Sequence, residues 1–329
     1  MSTQPKAIEI RDFKELKDDA HILSFLEGRK NAHKLSALES KEWFLWKFCN
    51  SPYGTSLMSC AYDEEKRKIA GSNFYGILKR KHKDQELLSV LPYEAFVDPE
   101  YQGMGVFKKM ILFGEEYAKK EGVQVMLAFP NTSSLKGFIR RGWTQVENPV
   151  AYLTKIQLKV STLVNMLDIK KAFVHNPSTR KNTFEFTDLS ESIFTDQIYG
   201  IWTKVYLEWR FNENPAGEYA HTTHNDCSAL ARIGRRGKLK EAQILFVDKK
   251  GGEISKKEIK VLIKNIKKQT NANIISFPMS SFHPLYGYVT SLGFINLKSK
   301  TNFTYKIIDE KLEGTTPKFA LSGLDFHTY

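Results

Sequence analysis

A chain of 329 residues, 41% hydrophobic and 26% charged, has apolar material for a real core and length for two domains, which excludes a predominantly disordered protein. No uncharged apolar run nears the length that crosses a bilayer and residues 1–11 carry no apolar leader, so the expectation is a cytoplasmic protein without a membrane partner. The net charge of +12 favours anionic small molecules, while the basic stretches 79–83, 232–240 and 256–268 come with no nucleic-acid-binding motif and read as solvated faces, so nucleic acid is not an expected partner.

In chain order, residues 7–13 read as an opening strand, then 19–28 and 41–48 as helices, the second stopped by a turn at Asn50-Ser51-Pro52-Tyr53-Gly54. Residues 56–62 and 69–78 read as strands around a charged turn at 63–68. Residues 87–97 form a further strand interrupted by Pro92, whose missing N–H marks a bulge or an edge. Residues 106–120 carry apolar side chains at 106, 107, 110, 111, 113, 117 and 118, one face of a helix. A buried-type strand at 123–129, a helix at 133–141 and a strand region at 144–158 follow, an order that calls for an α/β sheet covered by helices. After a connecting segment at 161–181 with a helical stretch, 183–189 read as strand and 196–211 as helix.

Three landmarks recur in order. Trp46-Lys47-Phe48 with Pro52 and Gly54 matches Trp209-Arg210-Phe211 with Pro215 and Gly217 at an offset of 163. Ala128-Phe129-Pro130 matches Ser276-Phe277-Pro278 at 148, and Gly142-Trp143 matches Gly293-Phe294 at 151. This is the pattern of a tandem duplication whose second copy is about 15 residues shorter between its first two landmarks.

The chemically informative segment runs from Tyr93 to Phe107, a strand leading through glycines into an amphipathic helix. Glycine admits a ligand close to the backbone, and the first N–H groups of a helix favour an anion such as a pyrophosphate. Gln102-Gly103-Met104-Gly105-Val106-Phe107 resembles the Gln/Arg-x-x-Gly-x-Gly/Ala signature of the GNAT superfamily of acyl-CoA transferases, with Phe107 in place of the last small residue. Asn131 to Trp143 is similar to that family's Asn-x-x-Ala/Ser…Gly-Phe/Trp element, and the two motifs together cover roughly residues 86–145.

The resemblance implies an α/β fold of tandem GNAT-like domains, residues 1–160 and 161–329, each a central mixed β-sheet flanked by helices, with the C-terminal copy degenerate and completing the acceptor cleft. The second half has no Gln-x-x-Gly-x-Gly, and its Gly251-Gly252 reads only as a turn. By the same resemblance, acetyl-CoA is the acyl donor. The backbones of Phe96 and Val97 hold its pantetheine arm, residues 102–107 its pyrophosphate, and Asn131 touches the arm. An attacking amine must lose a proton, and Glu94, two residues before Phe96, is the candidate base. The family's acidic tyrosine position holds Phe138, which has no proton to give.

The tail from Leu321 to Tyr329 resembles loosely the endings of tandem GNAT proteins encoded among bacterial polysaccharide genes. Asp325 and His327 would then hold the acceptor, a small polar amine such as a nucleotide-linked amino sugar. The competing readings are transfer to peptide or protein amines, a longer acyl donor, a non-catalytic CoA-binding module, and, on charge alone, nucleic-acid binding. Three separated cysteines (Cys49, Cys60, Cys227) and the histidines at 21, 33, 82, 175, 221, 224 and 283 have no metal-ligand spacing, so no metal is expected.

Overall fold

Two mixed sheets carry the chain; the first takes three strands from the second half of the sequence and the second takes one from the first half. The structure is a computed structural model that describes residues 8–16, 18–35, 38–147, 150–176, 183–191, 193–215, 217–297, 301–309, 312 and 316–326. The first half runs β1 (Ile8–Asp12), α1 (Asp19–His33), α2 (Lys41–Phe48), β2 (Leu57–Asp63), β3 (Lys68–His82), β4 (Gln85–Val97), α3 (Val106–Lys120), β5 (Val125–Ala128), α4 (Thr132–Ile139), β6 (Thr144–Val146) and β7 (Ala151–Ile156). The second half runs α5 (Val160–Val164), β8 (Val174–His175), β9 (Ile198–Gly200), α6 (Lys204–Phe211), β10 (Tyr219–His224), β11 (Cys227–Arg236), β12 (Leu239–Lys249), α7 (Lys256–Thr270), β13 (Ile274–Met279), α8 (Tyr286–Ser291), β14 (Ile295–Leu297), β15 (Phe303–Ile307), β16 (Phe319–Ala320) and α9 (Gly323–Phe326).

The first sheet has the order β1-β2-β3-β4-β5-β15-β6, with β9 beside β3 and β16 beside β9; the second has the order β10-β11-β12-β13-β7-β14, with β8 beside β11. β4–β5 and β12–β13 are parallel pairs and most others antiparallel. The exchange is reciprocal. β15 enters the first sheet between β5 and β6, pairing Thr304 with Ala128, and β7 enters the second between β13 and β14, pairing Leu153 with Phe277. Both exchanged strands are mostly buried, so neither sheet is left with an open edge at that place.

Every residue of β2 is buried, because α1 lies against one face of the sheet and α3 against the other. A sheet covered on both faces reads as a continuous apolar run rather than an alternation. Phe13, Phe25, Phe44, Phe48 and Phe74 pack together on the α1–α2 side, Phe25 stacked on Phe74 with centroids 4.8 Å apart. The helices start where polar residues cap them: Asp18 accepts from the His21 amide, Ser40 from the Trp43 amide and Thr203 from the Tyr206 amide.

Two of the three repeated landmarks occupy matching places; the third does not, since β5 ends at Ala128 while Phe277 and Pro278 lie inside β13. Trp46 and Trp209 each sit in the last turn of an eight-residue helix, α2 and α6. Their rings stack at 5.5 Å, and each indole Nε1–H donates to the other's carbonyl, at 2.9 and 3.1 Å. Gly142 and Gly293 both take positive φ, 77° and 83°, at the turn between a short helix and β6 or β14, and Trp143 and Phe294 follow them into the core.

Two sequence expectations change. Residues 183–189 are not a strand: the backbone of Phe184 bonds at both N–H and C=O to the Asn212 side chain, and Leu189 N–H to the Trp202 carbonyl, so the segment is tied to α6. Residues 196–211 do not form one helix. Ile198–Gly200 become β9 because the long β3 offers its edge at Arg80–His82, and α6 begins only after Thr203.

Candidate active site

Pro92 produces a bulge, one of the two outcomes that its missing N–H allows. Between the pairs Phe74–Glu94 and Tyr75–Pro92 the register shifts and Tyr93 is the extra residue. The bend turns β4 away from β5. The two strands pair only at Ser89–Val125 and Val90–Met126, and then splay. A cleft of about 660 Å³ opens between them, lined by residues 92–97 of β4, by Phe129, Pro130 and Asn131 after β5, by Phe107 and Phe138, and by His33 at the end of α1. Past Val90 the β4 backbone facing the cleft has no partner strand among the described residues, leaving an edge along which an extended ligand can lie, although the Phe96 backbone is paired with Ser72 of β3 rather than turned to the cleft.

The glycine loop closes the mouth of this cleft. Gly103 and Gly105 have φ of 80° and 72°, where a side chain is strained, and a Cβ at either would meet nothing within 4 Å. Backbone conformation, not crowding, therefore demands these glycines, and the space in front of them is open. The exposed Gln102 donates from Nε2 to the Val97 carbonyl at 3.2 Å, tying the loop to the strand end. Gly105 caps α3 without a side-chain hydrogen bond, and the first turn of α3 contains no acid but the exposed Lys108 and Lys109. Cations at a helix N-terminus oppose the dipole, which an anion bound there would offset.

Asn131 caps α4, its Oδ1 accepting from the Ser133 and Ser134 amides at 3.0 and 2.9 Å. That oxygen is committed, so a contact to a ligand arm falls to the amide nitrogen or the backbone. Phe107, the departure from the family pattern, lies edge-on to Phe138 at 6.0 Å. A Cβ at Gly137 would meet the Phe107 ring at 3.3 Å, so Gly137 makes room for the large residue.

Glu94 faces the cleft, but its carboxylate is committed to two cations and an imidazole. Oε1 meets His33 Nε2 at 2.8 Å; Oε2 lies 2.9 Å from Arg29 Nε and 3.5 Å from Lys47 Nζ. Burial by itself would raise the Glu94 carboxyl, yet Lys47, the His33 hydrogen bond and Arg29 outweigh it and hold it at about 2. Burial draws the Lys47 ammonium down to about 8, since the Glu94 carboxylate, shared with Arg29, compensates it only partly. A carboxylate so easily kept ionised is a weak base, which weighs against Glu94 taking the proton itself. His33, which the sequence reading passed over as one histidine among many, is the titratable side chain that both lines the cleft and is held by Glu94. Only the fold brings residues 33 and 94 together; no spacing signals it.

No protein-family model matches the sequence and no curated protein matches it significantly. Solved structures do. A GCN5-related N-acetyltransferase from Anabaena variabilis superposes with a TM-score of 0.60 at 10% identity, over 92% of this chain and 73% of that one. One from Kribbella flavida gives 0.56 at 10% over 92% and 71%, and Eis1 from Mycobacterium abscessus gives 0.55 at 12% over 92% and 74%. The fold is that of the GCN5-related N-acetyltransferases.

Within this GNAT fold the second sheet has its own parallel pair, β12 and β13, followed and preceded by α7, but the corresponding places are filled. Ser255 and Glu258 form a reciprocal capping box on α7, so a carboxylate of the chain itself occupies the helix start that is uncapped in α3. α9 packs on β12 and β13, and a Cβ at Gly323 would lie 2.6 Å from the Leu245 backbone. What remains there is a cavity of about 50 Å³.

Asp325, expected to hold the acceptor, lies outside the lining of the cleft. It is buried, its Oδ1 2.7 Å from Arg80 Nη2, and Oδ2 accepts from the Ser322 amide at 2.7 Å. The pair ties the tail to β3. Asp325→Ala strands a buried guanidinium, and chemical denaturation is expected to show a loss of about 3–5 kcal/mol. Asp325→Asn, which keeps the shape, should show most of that loss; full stability in both variants would mean the ion pair holds nothing. His327 lies outside the described residues. Phe326 packs edge-on against Phe129 of the cleft at 5.0 Å, so the tail reaches the cleft through a ring.

Proposed function

We propose that this chain is an N-acyltransferase that moves an acetyl group from acetyl-CoA to a primary amine of a small polar acceptor. The observation that carries the reading is the continuity of one surface: the splayed β4–β5 edge leads to the open Gly103–Gly105 turn and the uncapped start of α3. Phe96 and Val97 line the strand edge along which a pantetheine arm would lie, residues 102–107 offer N–H groups to a pyrophosphate, and Lys108 and Lys109 add positive charge. Acetyl-CoA, when bound, supplies the activated thioester carbonyl.

The chain's own part is to place the amine and remove its proton. Glu94 accepts from His33 Nε2–H, which leaves Nδ1 with the lone pair and makes His33 the proton acceptor. Glu94 is then a positioning residue. With Phe138 unable to donate, holding amine and thioester together supplies the larger part of the acceleration.

The molecule reads further as two GNAT-like units, 1–160 and 161–329, that exchange β7 and β15, the second kept for its fold. The matched tryptophans, the reciprocal exchange of β7 and β15, and the filled counterpart site support this. The tail that pointed toward a nucleotide-linked amino sugar is used inside the fold through Asp325, so that acceptor has no support beyond the tandem layout. Titration calorimetry with acetyl-CoA is expected to find one molecule per chain, with a dissociation constant on the order of 1 μM to 1 mM. No heat and no thermal protection by acetyl-CoA would sink the proposal; a second molecule per chain would sink the degenerate second unit.

A further inference from the structure

The segment after β7 is inside out. Thr162 and Asp168 are buried, while Leu158, Val160, Leu163, Val164, Met166 and Leu167 are 55–88% exposed, six large apolar side chains within ten residues. The remaining exposed large apolar side chains are spread along the chain. Polar contacts hold the segment in this orientation: Asn273 Nδ2 donates to Ser161 Oγ at 2.9 Å and Thr162 Oγ1 at 3.0 Å, and Lys159 Nζ donates to the Asn271 carbonyl at 2.9 Å. The Lys238 amide donates to Asp168 Oδ2 at 2.7 Å from the other side. A polar face turned to the protein and an apolar face turned outward suit a surface that is itself apolar beneath.

Two of the three basic stretches of the sequence converge on this patch. Asn271 and Asn273 follow α7, whose last turn carries the exposed Lys267 and Lys268, and Lys267 is close enough to depress the Lys159 ammonium together with its burial. The β11–β12 turn brings the exposed Arg235 and Lys238, and Arg236 donates to the Lys171 carbonyl. Asp168, the acid within the patch, is paired with Lys171 at 2.7 Å.

We propose that the segment 158–167, ringed by these lysines, docks the protein on an anionic lipid surface, lying on it rather than crossing it. No helix among the described residues is long and apolar enough to cross. Apolar side chains entering the interface and lysines near anionic headgroups act together in such binding. A second copy is the weaker occupant, because a two-fold axis through the patch would set like lysines against one another.

The test is co-sedimentation of the full chain with phosphatidylcholine vesicles, with and without one quarter phosphatidylglycerol. Binding to the anionic vesicles is expected to be about tenfold tighter or more, to weaken in about 0.5 M sodium chloride, and to fall about tenfold or more in the Leu163→Asp, Leu167→Asp variant. Both side chains are exposed, so circular dichroism should be unchanged. Equal binding to neutral vesicles, or anionic binding that survives the double substitution, overturns the proposal. So does an absence of vesicle binding; a dimer by light scattering that the same variant splits would then assign the patch to a second copy, and retained affinity for a homopolymeric RNA would assign the lysines to nucleic acid.

Discussion

Gly105→Val is expected to abolish measurable acetyl-CoA binding, a drop of about 100-fold or more in affinity, while the chain stays folded. Valine at φ of 72° is strained, a cost of about 1–2 kcal/mol for an L-residue in that region. The new side chain enters space that is open in the fold, so packing adds nothing to that cost. The same open space is where a pyrophosphate would approach the N–H groups of α3, and two methyl groups would stand in it. Gly122 supplies a matched control. It has the same φ of 72°, the same open surroundings, and follows the C-cap Glu121 at the other end of the same helix. Gly122→Val therefore carries equal backbone strain without touching the cleft. Calorimetry should find affinity lost in the first variant and kept in the second. If both lose it, strain in α3 is the cause; if neither does, the glycine turn is no binding loop.

The contrast between what the sequence revealed and what it hid follows from the range of the interactions. Glycines at positive φ, caps such as Asn131 and the Pro92 bulge are local, so the glycine turn, the strand before it and the helix after it could be read directly. The recurrence of Trp46 in Trp209 was legible because both fill the same place, the last turn of an eight-residue helix. The strand exchange was not, since β7 and β15 carry the same apolar pattern whichever sheet accepts them. The role of Asp325 was misread for a related reason: a carboxylate in a Gly-containing tail looks the same whether it meets a ligand or Arg80, 245 residues away. His33 was invisible as a site residue because what marks it is Glu94, on another element, and not its neighbours in sequence.

Removal of the imidazole is the second large effect. His33→Ala is expected to lower the turnover of acetyl transfer by about 100- to 10,000-fold, the usual worth of a positioned proton acceptor, with acetyl-CoA affinity unchanged. The amine is whichever member of an acceptor panel the wild-type chain acetylates, and added imidazole should restore part of the rate. Glu94→Gln should reduce turnover as well, but for a different reason and with a different signature. It leaves Lys47 buried without its anion and Arg29 with only Glu39, 3.7 Å away, at a cost of about 3–5 kcal/mol in stability. It also removes an acid limb of the stability curve. The Glu94 carboxyl sits at about 2 in the fold against 4.5 for an ordinary glutamate, so its contribution is fully present above pH 4.5 and is lost as pH falls through 2. Stability measured between pH 5 and 2 should therefore decline less steeply in Glu94→Gln than in the wild type. Because Glu94 stays ionised throughout the working range, any rise in rate with pH above about 4 belongs to another group. A His33→Ala variant with wild-type turnover would reduce the histidine to a structural partner of Glu94, and the proton would have to leave by way of water.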